Sequence, residues 1–223
     1  MSGGCRRIDA VATTSERADE TGARRGRRRD PSIDRRVAEA VIDVYARTGW
    51  NGLTVDEVAR QARVGKAALY LRWASKEELL VDALSAEGVP VVPEPSGDIR
   101  ADLLELARSL FELYSTTAGI AYLRLYVEAR YLPDLERTWQ QRATTPRQLE
   151  SRALVRHAVA GGALPAGTSP TILLDALAGA MANHVLSTPP ELYDDMVARA
   201  PRYIEQLVDF VLAGARASAP LPG

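Results

Sequence analysis

The chain has 223 residues, of which 46% are hydrophobic and 26% are charged, a composition typical of a soluble globular protein with one or two domains. No apolar run approaches the roughly 20 residues that a membrane span needs, and the first 30 residues lack the apolar segment of a signal peptide. The formal net charge is −1, and the single cysteine, Cys5, has no partner in the chain. We therefore expect neither a membrane protein nor a disulfide-stabilised secreted one, but a cytoplasmic protein.

The near-zero net charge conceals an asymmetry along the chain. Residues 1–78 contain 16 Lys and Arg against 12 Asp and Glu, a net charge of +4, whereas residues 79–223 carry a net charge of −5. A basic N-terminal part favours a polyanionic partner for that part alone. Chance is the alternative explanation, so the charge by itself does not identify the partner.

The first 30 residues are polar and show no periodicity, so they are predicted to form a disordered basic arm. Two interpretations of the arginines near its end stay open: a solvated tail, or an arm that contacts DNA phosphates or the minor groove. These arginines are Arg24, Arg25, Arg27, Arg28 and Arg29.

Four helices are predicted over residues 31–87. The first begins near Asp30-Pro31 or Ser32 and ends at Thr48-Gly49. The second, Val55 to about Ala62, starts with the capping box Thr54-x-x-Glu57, in which the threonine accepts from the Glu57 N–H and the glutamate reaches back to the Thr54 N–H. A third helix runs from about Gly65 to Arg72. A second capping box, Ser75 to Glu78, opens a fourth helix that runs to about Glu87.

Three prolines between Gly88 and Gly97 predict a linker and the best domain boundary. Beyond it the periodicity stays helical, and Pro201 is expected to kink or divide the last helix near Ala200. We predict an all-α protein of about nine helices, with a domain over 31–87, a second over 98–214 and a flexible tail over 215–223. The later helices are predicted at 98–117, 119–131, 134–161, 170–187 and 190–214.

Two short helices joined by a tight turn and packed on a longer one form a helix-turn-helix. Here Val58, Ala62, Val64 and Leu69 have the spacing of one small core. Their burial would turn Gly65, Lys66, Ala67, Ala68, Tyr70 and Leu71 partly outward, where a short helix can enter the major groove. An ordinary helical hairpin is the alternative, but both capping boxes agree with the motif.

The segments from Leu53 to Ala59 and from Val64 to Leu80 closely resemble the DNA-binding region of the tetracycline-repressor (TetR) family, and the Leu69-Tyr70-x-x-Trp73-x-Ser75-Lys76-Glu77-Glu78-Leu79 stretch is the most diagnostic. The resemblance covers roughly residues 33–84. It implies a DNA-binding transcriptional regulator, most simply a repressor that binds a palindromic operator in double-stranded DNA as a homodimer and is released by a small-molecule effector. An architectural DNA-binding protein without a ligand is the alternative.

The resemblance also implies residue roles. Thr54 and Tyr70 would contact phosphates through their hydroxyls, and Lys76 would hold a phosphate at the start of the fourth helix. Lys66 could reach a guanine, the methyl groups of Ala67 and Ala68 suit thymine, and Arg72 could bond a phosphate. The predicted DNA-binding residues are Thr54, Gly65, Lys66, Ala67, Ala68, Tyr70, Arg72 and Lys76.

Three positions depart from the usual family pattern. Arg63 stands where the turn usually has glycine, at a cost of about 1 kcal/mol if its backbone is left-handed. Gly65 and Ala67-Ala68 replace the common Ser-Lys-Gly-Thr pattern around Lys66 and remove a hydroxyl. Trp73 replaces a more usual phenylalanine.

Six of the 13 aromatic residues fall between 111 and 139. For any one of them plain helix packing is the simpler interpretation, but the group marks the best region for an effector pocket. The candidate effector residues are Phe111, Tyr114, Tyr122, Tyr126 and Trp139; Tyr131 is the sixth aromatic.

The sequence offers no metal cluster, no cofactor motif and no catalytic nucleophile, since His157 and His184 are its only histidines and lie far apart. We therefore expect no enzyme activity. The last two helices are rich in apolar and small residues, and the family pairs such helices across a two-fold axis; packing within one subunit is the alternative.

Overall fold

The computed structural model describes residues 31–87 and 89–217. The predicted arm over 1–30, with its arginines and Cys5, and residues 218–223 of the predicted tail lie outside that part. Within it the predicted all-α fold is confirmed. The α-helices are α1 (Pro31–Gly52), α2 (Val55–Ala62), α3 (Lys66–Tyr70), α4 (Lys76–Glu87), α5 (Ile99–Tyr114), α6 (Thr117–Glu128), α7 (Pro133–Trp139), α8 (Thr145–Ala160), α9 (Pro170–Ser187) and α10 (Tyr193–Ala217).

Shorter helical segments complete the chain. Residues Ala129–Tyr131 and Pro190–Leu192 form single 3₁₀ turns. A π-helical segment, Gln140–Thr144, joins α7 to α8, and the residues at its two ends keep right-handed helical backbone angles. The helix predicted over 134–161 is therefore one continuous run with a π segment inside it.

The turns of the N-terminal part follow the predictions closely. The helical path of α1 breaks at Gly49, whose φ of 69° and ψ of −169° are not helical, although the helix resumes as far as Gly52. Arg63 has a φ of 55° and a ψ of 48° and so adopts the left-handed conformation in which glycine is usual. A side chain that is not glycine therefore makes the turn between α2 and α3.

Each predicted capping box forms only in part. The Thr54 hydroxyl accepts from the Glu57 N–H at 3.2 Å, but the Glu57 carboxylate pairs with Arg60, a cation one turn along the same exposed face, instead of reaching back to Thr54. Likewise Ser75 accepts from the Glu78 N–H at 3.2 Å, while Glu78 accepts from the Ala74 N–H at 3.0 Å rather than from Ser75. Each helix start is still capped by a hydroxyl oxygen.

Other ends differ from the prediction. α5 ends at Tyr114, because the Thr116 side chain accepts from the Gly119 N–H at 3.1 Å and so caps the start of α6. α10 is not divided at Pro201 and continues to Ala217, three residues into the predicted tail. Pro201 is exposed to solvent, where water can satisfy the carbonyl group that proline leaves without a backbone hydrogen bond.

Buried side chains form two cores. The first core is built by α1 to α4 together with residues of α6, α7 and the π segment, including Leu125, Leu135 and Trp139. The second is built by α5, α8, α9 and α10. The partly buried Tyr122 of α6 packs against both cores. α6 and α7 therefore pack directly on the helices that carry the predicted DNA-binding residues.

The predicted linker is non-helical over residues 89–98 and runs along α5. The Val91 N–H donates to the Ser109 hydroxyl at 2.7 Å, and the Ser96 N–H donates to the buried carboxylate of Asp102 at 3.2 Å. The hydrogen bond from Ser96 satisfies the buried Asp102 carboxylate, and it fixes the C-terminal end of the linker to the second core.

Candidate nucleic-acid interface

The short helix α3 lies on the surface and is anchored to the core by one buried side chain. Leu69 is 2% exposed and packs in the first core, which also contains the buried Val58 and Ala62 of α2, while Val64 in the turn is partly buried against it. The predicted small core is therefore confirmed. Outward from it lie Gly65, Lys66, Ala67, Tyr70 and Leu71, all exposed, with Ala68 half-buried. The arrangement presents a row of polar and small groups of a size that fits a major groove.

Two hydroxyls flank this row. Thr54 is exposed, and its oxygen accepts from the Glu57 N–H, so its own O–H remains available to donate. The Tyr70 side chain is 64% exposed, and within the described residues its hydroxyl has no partner. Both groups can donate to a phosphate oxygen from where they stand.

The three cations predicted to meet DNA are each held by another group of the protein. Lys66 forms an ion pair with Asp56 of α2, and Arg72 forms one with Asp34 of α1. Lys76 donates from Nζ to the Trp50 carbonyl oxygen at 2.9 Å, with its ammonium 3.8 Å from the centroid of the Trp50 indole. Burial lowers the pKa of Lys76, and the charge of Glu77 only partly opposes this. Contact with DNA would therefore require these cations to exchange or share their present partners.

Behind the helix-turn-helix, one carboxylate of α6 gathers three donors. Glu128 accepts from the Tyr45 hydroxyl at 2.9 Å, from the Trp50 backbone N–H at 3.1 Å and from the Arg124 guanidinium at 2.8 Å. Arg124 in turn donates to the Ala46 carbonyl at 3.1 Å. We call Tyr45, Trp50, Arg124 and Glu128 the Glu128 cluster. It joins α6 to the end of α1 at the point where the chain turns toward α2.

Gly49 is the residue that lets this cluster close. Its positive φ disfavours any side chain, and a Cβ there would overlap the Arg124 guanidinium and approach a Glu128 oxygen to 2.8 Å. Burial alone would raise the pKa of Glu128, but the hydrogen bonds from Arg124, Tyr45 and the Trp50 N–H outweigh it and hold that pKa below its ordinary value of 4.5. The carboxylate is therefore ionised at neutral pH, and a cavity of about 240 Å³ lies beside it.

The sequence analysis missed the Glu128 cluster, although one signal was present. α6 reads TAGIAYLRLYVE, and its only charged residues are Arg124 and Glu128, one turn apart in an apolar helix. Such a pair usually packs against a polar surface of a neighbouring element, because a charge left in an apolar contact is costly.

The structure brings three of the five candidate effector residues together. The ring centroids of Tyr114 and Tyr122 lie 6.4 Å apart, and those of Tyr122 and Trp139 lie 5.2 Å apart in an edge-on contact. We call these three residues the aromatic seam, since Tyr122 touches both cores. Phe111 is buried in the second core, whereas Tyr126 is 53% exposed. The Trp139 indole N–H is buried without a hydrogen-bond partner among the described residues.

Burial also determines the protonation of the seam. Desolvation, with a smaller contribution from Tyr126, raises the pKa of Tyr122 to about 12, and desolvation raises that of Tyr114 as well. Both phenols are neutral at physiological pH, so the seam carries no charge of its own.

An exposed stripe of apolar and small residues runs along α9. Ile172 and Leu186 are 73% and 57% exposed, and the exposed small residues Ala176 and Gly179 lie between them at helical spacing. We call these four residues the α9 stripe. On α10, Phe210 is 77% exposed.

The two helices that carry these exposed residues are fixed to each other. His184 of α9 stacks on Tyr203 of α10 with ring centroids 3.9 Å apart. The Tyr203 hydroxyl also donates to the Ala180 carbonyl oxygen of α9 at 3.4 Å. α9 and α10 therefore present their exposed residues from one packed pair of helices.

None of the helices in residues 31–87 and 89–217 is long and apolar enough to cross a membrane. Nor do residues 31–87 and 89–217 contain three His, Cys, Asp or Glu side chains placed to hold a metal ion.

Comparison with known families gives two matches that together span most of the described chain. Residues 38–83 match the model for bacterial regulatory proteins of the tetR family, and residues 93–210 match the tetracyclin repressor-like C-terminal domain. The second match alone covers more than half of the chain.

The individual proteins that this chain resembles are also transcriptional regulators. The chain is 24% identical to the HTH-type transcriptional regulator YdeS of Bacillus subtilis over 88% of this chain and 96% of that protein. It is 28% identical to the HTH-type transcriptional regulator AqdR of Rhodococcus erythropolis over 87% and 91%. Among solved structures, the transcriptional regulator FadR from Bacillus subtilis, in complex with stearoyl-CoA, shares the fold with a TM-score of 0.63 at 15% identity over 80% of this chain and 97% of that one.

The Glu128 cluster generates a pH-dependent prediction. Because the pKa of Glu128 is depressed, its stabilisation is present above pH 4.5 and is lost as the pH falls through the folded-state pKa. Glu128→Gln should lower the free energy of unfolding by about 1–3 kcal/mol at pH 7, since an amide cannot accept from all three donors. The deficit should shrink below pH 4.5, as measured by urea denaturation at pH 7 and pH 4.

Glu112→Gln is the matched control, because Glu112 is an exposed carboxylate on α5 outside the cluster. It should leave both values unchanged. A Glu128→Gln deficit that is equal at the two pH values would contradict the assigned role of the charge.

Proposed function

Because the chain belongs to the tetracycline-repressor family of DNA-binding transcriptional regulators, we propose that it is a repressor that binds a palindromic operator as a homodimer and is released by a small-molecule effector. The observation that carries the proposal is the exposed α3 surface seated on α2, while the Glu128 cluster joins the preceding helix α1 to α6. In this proposal residues 31–87 form the DNA-binding domain, and residues 98–214 form the ligand-binding and dimerisation domain.

For DNA recognition we propose the division of roles implied by the family resemblance. Lys66, Ala67 and Ala68 face the bases, while Thr54, Tyr70, Arg72 and Lys76 position the protein on phosphates. The exposure of the two hydroxyls supports this, and Gly65 leaves room for close approach, because no described residue other than its chain neighbours lies within 4 Å of the place where its Cβ would be. A protein that binds chromosomal DNA in this way would act in the cytoplasm.

For the homodimer we propose the face formed by the α9 stripe and Phe210. The small residues Ala176 and Gly179 permit close approach of a second helix, and large apolar side chains at Ile172, Leu186 and Phe210 would be buried by it. A second copy of the same face is the natural occupant, since two-fold symmetry matches each stripe with itself. Two recognition helices would then lie about 34–36 Å apart, or a multiple of it, on DNA.

For the effector we propose a site at the aromatic seam. The buried indole N–H of Trp139 has no acceptor among the described residues, and a ligand oxygen or nitrogen placed there would satisfy it. The neutral phenols and the surrounding apolar side chains favour an uncharged, largely apolar group. The FadR structure was solved in complex with stearoyl-CoA, whose stearoyl chain is one such apolar group.

For the switch we propose that α6 carries the effect of the ligand to DNA. Tyr122 at the seam and the Arg124–Glu128 pair lie on this one helix, so a ligand that displaces Tyr122 also displaces the acceptor of the Trp50 N–H. A coupling of about 1–3 kcal/mol would change DNA affinity roughly 5- to 150-fold, and DNA must weaken ligand binding by the same factor.

The proposal is tested by selection of binding sites from random duplex DNA, followed by titration of the selected site in fluorescence anisotropy. We expect an enriched palindrome, bound by two chains, and a steep loss of affinity with salt. Native mass spectrometry of freshly purified protein should also reveal a retained small molecule. Binding without sequence preference and without any ligand would instead support the alternative of an architectural DNA-binding protein.

Asp56 generates the next prediction. Asp56→Asn should release Lys66 for DNA and remove a negative charge beside the α3 surface, so affinity for the selected site should rise about two- to five-fold at low salt, the range expected from an exposed ion pair. Anisotropy titrations at two salt concentrations measure this. Asp134→Asn, which breaks an exposed ion pair with Arg137 outside the helix-turn-helix, is the control and should change nothing. Unchanged or weaker binding by Asp56→Asn would show that Asp56 does not restrain Lys66.

The dimer face generates another prediction. Ile172→Asp combined with Phe210→Asp should place four charges in the dimer interface, and light scattering after size-exclusion chromatography should give the single-chain mass of 24.2 kDa with unchanged helicity. The wild type should give twice that mass. Tyr131→Asp changes an 81% exposed aromatic residue outside this face and should remain dimeric. A dimeric double variant would exclude the face.

A further inference from the structure

A second cavity lies away from the aromatic seam, between α8 and the start of α9. Its volume is about 600 Å³, within the range of sites for small organic molecules. Its wall includes Arg152, Arg156 and Val159 from α8 and Thr168, Pro170 and Thr171 from the following loop and α9. It shares no lining residue with the seam or with the α3 surface.

Two unneutralised cations dominate this wall. Arg152 and Arg156 are one helical turn apart and therefore lie on the same face of α8. Within the described residues neither guanidinium has an ion pair or a hydrogen bond, whereas Arg147, earlier on the same helix, pairs with Glu150. No acidic side chain of the described residues lines the cavity. The cavity is thus positively charged with nothing in its wall to balance it.

The opposite wall offers polar groups that also lack partners. The Thr168 hydroxyl oxygen is buried and has no hydrogen-bond partner among the described residues. α9, an 18-residue helix, begins beside it: the Ser169 side chain accepts from the Ile172 N–H at 3.4 Å, which leaves the Thr171 N–H without a cap. The positive dipole end of α9 thus adds to the field of the two arginines, and the Thr168 hydroxyl has no competing partner among the described residues.

We infer that this cavity binds a small molecule that carries a carboxylate or a phosphate on a compact apolar body. The guanidinium groups of Arg152 and Arg156 match either oxyanion in geometry, and the start of α9 faces it from the other side. Val159, Ala160 and Pro170 supply the apolar contact for the body. The site is separate from the proposed effector site.

The inference is tested on the full chain by isothermal titration calorimetry with three probes that share a phenyl ring: benzoate, phenyl phosphate and neutral benzyl alcohol. We expect one binding event per chain for benzoate, phenyl phosphate or both, with a Kd of about 1 mM or lower, and at least ten-fold weaker binding of benzyl alcohol. The stronger of the two anions identifies the headgroup. Absence of saturable binding of both anions up to about 10 mM, or equal binding of the alcohol, would overturn the inference.

Variants locate the site. Arg152→Gln with Arg156→Gln should weaken binding of the anion at least ten-fold, and Thr168→Val should weaken it while leaving both arginines in place. Arg108→Gln with Arg130→Gln removes two exposed arginines outside the cavity and should bind like the wild type. Circular dichroism melting confirms that each variant is folded. Equal losses in the two double variants would show that the anion responds only to net charge and would overturn the assignment.

Discussion

The Glu128 carboxylate is the acceptor on which the arrangement of this protein depends. It receives the Tyr45 hydroxyl, the Trp50 backbone N–H and the Arg124 guanidinium, three donors from two helices that meet in a partly buried contact. Lys76 holds the carbonyl of the same Trp50 from the other side. The N–H of Trp50 is thereby bonded to α6 and its C=O to α4. These two bonds fix the point from which the chain enters α2 and α3.

This constraint explains why the boundary of the packed cores does not follow the linker. The chain leaves the helix-turn-helix at the end of α4, yet α6 and α7 return to complete its core with Leu125, Leu135 and Trp139. Tyr122 on α6 then contacts the second core. The hydrogen bonds of α6 reach the last turns of α1, from which the chain runs into α2 and α3.

Local signals account for what could be predicted from the sequence. The Thr54 and Ser75 caps depend on neighbours within a few residues and form as predicted, and the burial of Val58, Ala62 and Leu69 agrees with their spacing along α2 and α3. Interactions between distant segments could not be predicted. The partners of Lys66, Arg72 and Lys76 lie 10 to 38 residues away, and the two α1 donors to Glu128 lie 78 and 83 residues away. The predicted hydrogen bonds from the Thr54 and Ser75 N–H groups to the side chains of Glu57 and Glu78 were also wrong. Each carboxylate has another partner, which is Arg60 for Glu57 and the Ala74 N–H for Glu78.

The central claim is that the Glu128 carboxylate holds the Trp50 peptide against α6, and hydrogen exchange at single amides measured by NMR tests it most directly. In the wild type the Trp50 N–H should be protected. In Glu128→Gln it should exchange faster, together with the Leu53 N–H that bonds to Gly49, while amides in the middle of α10 keep their wild-type rates. An unchanged exchange rate at Trp50 would contradict the account.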